Sequence, residues 1–586
     1  MALSNQQLAT IFNDIADRLE IQGDVEGTSG VFKTRSYRTI AENLQALQRP
    51  VADIWQEGKL NEVPGVGKAI HDKIDELLRT GKLDFYERLR AEVPDGVVDM
   101  LQVSGLGPKR IKEIWSKLGV MSLSELEAAG RAGRLRHLPK MGEKTEQKIL
   151  AGIESLKRRA TGRMRAGDVL PIASQMRELL RAVPGVLKVE YAGSLRRGRE
   201  TIGDLDFVAA TTDPAAVMHV FRSQPDIEEV LGAGETKSSV RLSNGLQVDL
   251  RAIDPSVWGA AMQYFTGSQA HNIRVREIAQ RQKLSLNEYG LATEDGARLS
   301  FDTEEALYAR LGMAWIPPEM REDRGEIEVA QSGGMPRLIT RQDLRGDLQM
   351  HSTWSDGAAD VMTMARGAMT MGYAYILITD HSQSLGIANG LTPERVRAQR
   401  KEIDAVNRQL LDEGLSFRVL QGVEVEVKSD GTIDLPDDVL SELDLVQASV
   451  HTSLSQPRER ITERVLNAIR NPHIDILGHP SGRLINEREG GDYDWEVLFR
   501  AAAQHDVALE INADPARLDL NETHARRAVE LGCKLTISTD AHHPSGLQQI
   551  IFGLSVARRA WIDPDVVINT WPLEKLRAWA AHRGVE

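Results

Sequence analysis

From residue 341 onward the chain repeats a strand–loop–helix rhythm, and the strand-like runs carry a His, Asp, Glu or Asn at or just before their C-terminal ends. The runs are YAYILITD, SFRVLQGVEVEV, LDLVQASVH, IDILGHP, VALEINA and KLTISTD, with helix-like stretches between them. Strands alternating with helices predict parallel βα units closed into a barrel. Such folds place their chemistry at strand C-termini. Ten of the 14 histidines lie after residue 350, and His351, His381, His451, His479 and His542 each follow a strand-like run. Asp540 stands two residues before His542, and Glu424 lies in GVEVE. Imidazoles and carboxylates gathered in this way suit Zn2+, Mn2+ or Fe2+. His473, His505, His524, His543 and His582 lack that placement and read as ordinary histidines.

With 586 residues the chain needs several cores. Its net charge of −13 argues against an overall basic nucleic-acid binder, although binding depends on where basic groups cluster. The single cysteine, Cys533, excludes a disulfide framework and fits a reducing cytoplasm. Leu8, Ile11, Phe12, Ile15 and Leu19 share one face of an N-terminal amphipathic helix, which is not a signal peptide. No apolar run is long enough to predict a membrane span.

Residues before about 160 read as short helices punctuated by Gly and Pro, with an internal near-repeat. VPGVGK at 63–68 resembles VSGLGPK at 103–109, and LPKMGEK at 138–144 is a degenerate third copy. In the first two, Gly65 and Gly67, and Gly105 and Gly107, allow a tight turn before a helix N-terminus. Lys68, Lys109 and Lys144 add positive charge beside the turns. This is the recipe of a helix-hairpin-helix, which grips a DNA backbone without reading sequence. A single Gly-x-Gly serves equally as a plain helix–helix turn; two in similar context favour the DNA reading. The basic run KRRATGRMR at 157–165 reads equally as a solvated linker.

Between 165 and 255 the pattern turns to strands: KVEYAGSL, DLDFVAA, SSVRLS and LQVDLRAI. Asp204 and Asp206 are two apart, so they share one strand face while Leu205 and Phe207 face a core. Two carboxylates on one face repel unless cations sit between them. Asp249, on another strand, could complete a trio able to hold two Mg2+ or Mn2+ ions for phosphoryl transfer. Gly193, Ser194 and Arg197 form a small basic turn suited to triphosphate oxygens. Asp-x-Asp alone would more often be an exposed hairpin; the turn and the third Asp change that balance.

The combination GS-x-RRG and GD-x-D resembles the nucleotidyltransferase palm of family X DNA polymerases, of which DNA polymerase beta is the best-known member. YFTGS at 264–268 and LGMAWIPPEMRE at 311–322 extend the resemblance over roughly residues 1–322. It implies that Asp204, Asp206 and Asp249 are metal-binding catalytic acids and that Gly193, Ser194 and Arg197 bind triphosphate. It also implies that Tyr264 and Phe265 lie under the incoming sugar, that Gly267 belongs to the same nucleotide-binding motif, and that Asn272 and Arg276 meet the nascent base pair and template. Lys73 falls at the family's Schiff-base position for deoxyribose-phosphate excision, and Lys33 at a phosphate-binding one; a helix-surface lysine is usually just solvated.

DLQMHSTWSDG, ITDHS, GVEVE, SVH, GHPSGR and STDAHH together resemble the PHP domain, named for polymerases and histidinol phosphatases. This implies a distorted (β/α)7 barrel with a trinuclear metal site. By motif its ligands are His351, Asp356, His381, Glu424, His451, His479, Asp540 and His542, and Gln349 takes the place of the first histidine in the opening His-x-His. Gln offers a neutral oxygen and is a weaker ligand. Arg483 and Arg517 are phosphate-binding candidates or ordinary surface pairs.

The fold class expected is multidomain, α+β and α/β. An N-terminal helical, lyase-like DNA-binding domain spans 1–85 and helix-hairpin-helix fingers 86–162. A nucleotidyltransferase palm spans 163–255, a thumb 256–324, a linker 325–340, and a PHP metal-dependent phosphoesterase barrel 341–586. The expected function is a bacterial, cytoplasmic repair polymerase acting beside the chromosome. It would take gapped or primer–template DNA and dNTPs, as a monomer with no membrane partner. The barrel would be its 3'-5' exonuclease, with phosphatase or AP-endonuclease activity as further implications. The competing reading is a PHP phosphoesterase that uses the polymerase half only to hold DNA; a scaffold with two vestigial sites retains too many ligands.

Overall fold

The computed structural model describes residues 5–23, 34, 36–41, 43–44, 51–63, 65–103, 106–139, 141–159, 163–385 and 388–583. The chain divides into two compact units, Met1–Thr161 and Gly162–Glu586. Among the described residues no helix is long and apolar enough to cross a membrane.

The first unit is helical. Helix α1 (Asn5–Gln22) buries Leu8, Phe12 and Ile15 against Ile70, Ile74 and Leu77 of α2 (Lys68–Thr80). The spacing of four and three puts those α2 residues on one face. A second core forms around Ile111 and Ile114 of α3 (Pro108–Leu118) and Ile149 and Ile153 of α4 (Glu143–Arg159). Gly81 and Gly119 end α2 and α3 in the left-handed region, at φ +74° and +67°.

In the second unit, helix α5 (Ala166–Arg181) packs on a sheet of five strands. They are β1 (Val186–Tyr191), β2 (Asp204–Thr211), β3 (Ile227–Ala233), β4 (Lys237–Leu242) and β5 (Gln247–Ile253), in the order β1-β2-β5-β4-β3. Only β2 and β5 run parallel as neighbours. Leu205 and Phe207 of β2 are buried, as the alternation predicts. Helices α6 (Trp258–Thr266) and α7 (Gln269–Arg281) and a small antiparallel sheet follow. Their core gathers Val275, Ile278, Leu307, Tyr308 and Ile316. The expected linker at 325–340 contains the helix Glu326–Ser332, whose Ile327 and Ala330 are buried in that same core.

The C-terminal strands are β6 (Gly346–Asp347), β7 (Tyr375–Ile378), β8 (Arg418–Glu426), β9 (Leu445–Ser449), β10 (Ile476–Leu477), β11 (Ala508–Asn512) and β12 (Leu535–Ser538). All are parallel and neighbour one another in chain order. Just beyond β12 the chain returns to the first strand. Asp540 N donates to Gln349 O at 3.0 Å, and His351 N to Ala541 O at 2.9 Å. These bonds bring the ends of the sheet together into a nearly closed (β/α)7 barrel. Tyr375, Leu445, Ile476 and Ala508, at the starts of their strands, pack with Trp571 and Trp579 and fill one mouth. The opposite mouth, at the strand C-termini, is left for polar side chains.

Candidate active sites

Asp204 and Asp206 open β2, and the parallel register sets Asp206 opposite Asp249 on β5. Burial, then the charges of Asp204 and Asp249, push the Asp206 carboxyl up to about 7, against the pull of Arg197 and Arg251. Three carboxylates therefore share one patch. The backbone turn beside them is fitted to the acid. Gly193 sits at φ +57°, and a Cβ there would overlap Asp206 Oδ2. The next side chain, Ser194, buries its Oγ without a hydrogen-bond partner among the described residues.

Arg197 Nε lies 3.2 Å from Glu322 Oε1, and its Nη1 donates to Thr266 O. Gly267 follows at φ +67°, where a Cβ would stand 3.1 Å from Arg197 Nη1. Tyr264 and Phe265 meet edge to face at 5.1 Å on the last turn of α6, with the Arg251 guanidinium 5.2 Å from the Phe265 ring. Asn272 Nδ2 donates to Tyr264 O at 2.7 Å, and Arg276 Nε to Asn272 O at 3.3 Å. The residues expected to bind nucleotide are thus linked around the end of α6. An unpartnered buried hydroxyl and mutually repelling carboxylates fit a triphosphate with divalent cations.

In the barrel, Glu424 of β8 is the hub. Its Oε1 lies 2.9 Å from His479 Nε2 and 3.4 Å from His451 Nε2, and its Oε2 3.2 Å from His381 Nδ1 and 3.6 Å from His351 Nε2. His351 Nε2 also meets Asp540 Oδ1 at 3.0 Å. Asp356 lies 3.5 Å from His542 Nε2 and 3.6 Å from His381 Nε2. Three groups bring their ligand atoms within 4.8 Å of one another: His351, Asp356, His381 and His542; His381, Glu424 and His451; and His351, Glu424 and Asp540. Burial raises the Glu424 carboxyl's pKa, but His381 and His451 outweigh it and hold the group well below the carboxylate range. Burial pushes the His381 imidazole down to about 4, against the pull of Glu424. Among the described residues His351 Nδ1 and His479 Nδ1 are buried without a hydrogen-bond partner. The donor set and the orphaned His351 nitrogen, 3.8 Å from Asp356 Oδ1, fit divalent metal ions.

In the first unit Gly65, at φ +83°, precedes Gly67, which caps α2, and Gly107 caps α3. Lys68 and Lys109 are exposed at the starts of these helices. Gly105 and Lys33 lie outside the described residues, as do the side chains of 157–160 in the basic run. Lys73, on α2, holds its Nζ 4.9 Å from the centre of the Phe85 ring.

Family models match these regions in order: a helix-hairpin-helix domain over 3–83, a SAM-like helix-hairpin-helix tandem over 97–155, and a DNA polymerase beta thumb over 261–322. The DNA polymerase/3'-5' exonuclease PolX of Bacillus subtilis (strain 168) is 38% identical over 580 residues, 98% of this chain and 99% of that protein. The chain belongs to the PolX family. Within it, the C-terminal part is also similar to smaller proteins. A probable phosphatase of Thermoanaerobacter sp. (strain X514) is 30% identical over 236 residues, 38% of this chain and 89% of that protein. Another, from Caldanaerobacter subterraneus subsp. tengcongensis, is 30% identical over 216 residues, 34% of the chain and 78% of the relative.

Several residues of the barrel site were not singled out from sequence. Glu426 accepts from His451 Nδ1 at 2.7 Å and so orients that ring. Its position two after Glu424 on the same strand was the available signal. Glu510 of β11 is fully buried. Burial and then the Asp540 charge push its carboxyl well above the ordinary range. Nothing in VALEINA distinguishes it from an exposed strand acid. Gln349 is buried beside it. In the orientation its neighbours satisfy, the Gln349 amide donates to Glu510 Oε2 at 2.9 Å and accepts from Gln447 Nε2 at 3.0 Å. Of the two phosphate candidates, Arg517 Nε stands 3.9 Å from Asp540 Oδ2, at the cluster. Arg483 instead pairs with Glu200 of the palm at 2.7 Å.

Proposed function

We propose that the palm fills short gaps in DNA by templated nucleotidyl transfer from dNTPs, and that the barrel removes nucleotides from DNA 3' ends. DNA polymerase and 3'-5' exonuclease are the two activities of the family, and each half of this chain holds a centre fit for one of them. The observation that carries the reading is the register of β2 and β5, which sets Asp206 opposite Asp249 beside the Gly193–Ser194 turn. A module that only gripped DNA would have no use for three carboxylates held against one another.

In the palm, Asp204, Asp206 and Asp249 would hold Mg2+ or Mn2+. Bound there, the ions supply Lewis acidity to the attacking and leaving oxygens of an in-line displacement. Ser194 and Arg197 orient the triphosphate, Tyr264, Phe265 and Gly267 support the sugar, and Asn272 and Arg276 face the base pair. In the barrel, His351, Asp356, His381, Glu424, His451, His479, Asp540 and His542 would hold Zn2+, Mn2+ or Fe2+. Glu426 fixes the His451 ring, and Arg517 draws the phosphodiester toward the cluster. The Gly-capped turns of the first unit hold the DNA backbone through Gly65, Gly67, Gly107 and the adjoining Lys68 and Lys109. We assign the chain to the bacterial cytoplasm, working as a monomer.

A gapped duplex labelled at the primer 5' end tests this. With dNTPs and Mn2+ or Mg2+ the primer lengthens by the size of the gap. Without dNTPs it shortens, and EDTA stops both changes. Shortening with no lengthening under any metal would instead make the chain a phosphoesterase whose other half only binds DNA.

A further inference from the structure

Helix α9 (Ile550–Arg559) of the barrel ends against the palm, and helix α8 (Glu522–Glu530) begins beside it. Arg559, the last residue of α9, is buried. Its Nη1 donates to Arg197 O at 2.8 Å and to Glu322 Oε1 at 3.0 Å, and its Nη2 donates to Glu522 Oε1 at 3.1 Å. Glu322 Oε1 is the same oxygen that accepts from Arg197 Nε at 3.2 Å. Arg199 stands 3.8 Å from Glu322 and 3.9 Å from Glu522, and Arg324 stands 3.7 Å from Glu522. Arg197, Arg199, Arg324 and Arg559 therefore share two carboxylates, so four positive charges meet two negative ones. Burial raises the Glu322 carboxyl's pKa, but Arg559 and Arg197 outweigh it and hold the carboxylate below its ordinary value.

We propose that Arg559 is a positioning residue of the polymerase centre: a side chain of the nuclease barrel that sets Arg197 for the dNTP triphosphate. The inference rests on reading Arg197 as a nucleotide-binding residue. Arg559 holds the Arg197 backbone directly and shares the carboxylate that anchors its guanidinium. It also adds a positive charge beside the turn. Without Arg559, Glu322 has Arg197 as its nearest cation and competes more strongly with a triphosphate for it. That positive charge is lost as well. Both changes weaken dNTP binding and leave the carboxylate trio of the palm in place.

Single-nucleotide insertion into a gapped duplex by the full chain tests the proposal. It compares wild type, Arg559→Ala, Arg559→Lys, Arg197→Ala and the Arg197→Ala/Arg559→Ala double variant. Arg559→Ala is expected to raise the KM for dNTP by roughly 5- to 20-fold, within the range of coupling between sites. kcat, DNA affinity and 3'-end degradation should stay near wild type. Arg559→Lys, which keeps the charge but not the paired donors, is expected in between, and it carries the test if the alanine variant misfolds. In the Arg197→Ala background, Arg559→Ala should change KM little. If Arg197→Ala raises KM and Arg559→Ala or Arg559→Lys does not, the inference is overturned while the Arg197 reading stands. If Arg197→Ala leaves KM unchanged, that reading fails and the inference goes with it. A fall in Tm and kcat at constant KM would show a purely structural contact and also overturn it.

Discussion

Gly193 and Asp206 show how closely backbone and acid are fitted in the palm. A Cβ at Gly193 would overlap the Asp206 carboxylate, and the backbone there is left-handed as well. Gly193→Ala is therefore expected to cut primer extension by about 100-fold or more, as displaced catalytic groups do, while 3'-end trimming persists. Asp206 itself strains the metal-free fold. Its folded pKa of about 7 is above that of an unfolded aspartate, so the folded state binds the extra proton between about 4 and 7. Stability of the metal-free protein then falls as pH rises through that window. Asp206→Asn removes the penalty. Calorimetry in EDTA at pH 8 should give the variant the higher Tm, with the difference shrinking toward pH 4. An equal or lower Tm at pH 8 would show that Asp206 is not under repulsion. The Asp-x-Asp pair and its turn were legible in the sequence because strand alternation alone puts both acids on one face. Glu510 was not, because burial of an acid depends on what the barrel packs around it.

At the scale of elements, the first unit is helical, as its apolar spacing and Gly/Pro punctuation predict. The structure adds the buried face of Ile70, Ile74 and Leu77 and the helix stop at Gly81. The edge strand β3 was missed, since IEEVLGA is mostly exposed and carries no clean alternation. Two-residue strands such as β6 are also invisible locally, because they exist only through pairing with neighbours. The joint between palm and thumb is another property of tertiary packing. Glu304 accepts from Arg196 at 2.7 Å and from Arg321 at 2.6 Å, and Arg321 is fully buried. Burial raises the Glu304 carboxyl's pKa, but Arg321 and Arg196 outweigh it and bring it to about 2. Its contribution is therefore complete above about 4.5 and is lost as pH falls toward 2. Glu304→Ala leaves a buried guanidinium without that partner and is expected to cost about 3–5 kcal/mol in urea unfolding at pH 7. A cost below about 1 kcal/mol would mean the ion pair is exposed and weak.

At the scale of the whole molecule, the proposed reading puts two metal-dependent phosphate chemistries of one chain on different architectures. In the palm the proposed site draws on acids of adjacent strands of an open sheet; in the barrel, groups of His, Asp and Glu that could hold a metal gather at the C-terminal ends of parallel strands. The two need not share a residue, so they should be separable by single substitutions. Comparing wild type, Asp249→Ala and His351→Ala on the same labelled gapped duplex, with and without dNTPs, tests this directly. Asp249→Ala should lose extension by about 1,000-fold or more, the scale of several kcal/mol of metal-borne charge stabilisation, and still shorten the primer. His351→Ala should extend normally and shorten little. If Asp249→Ala extends at the wild-type rate, or His351→Ala trims as fast as wild type, the account of two separate centres is wrong.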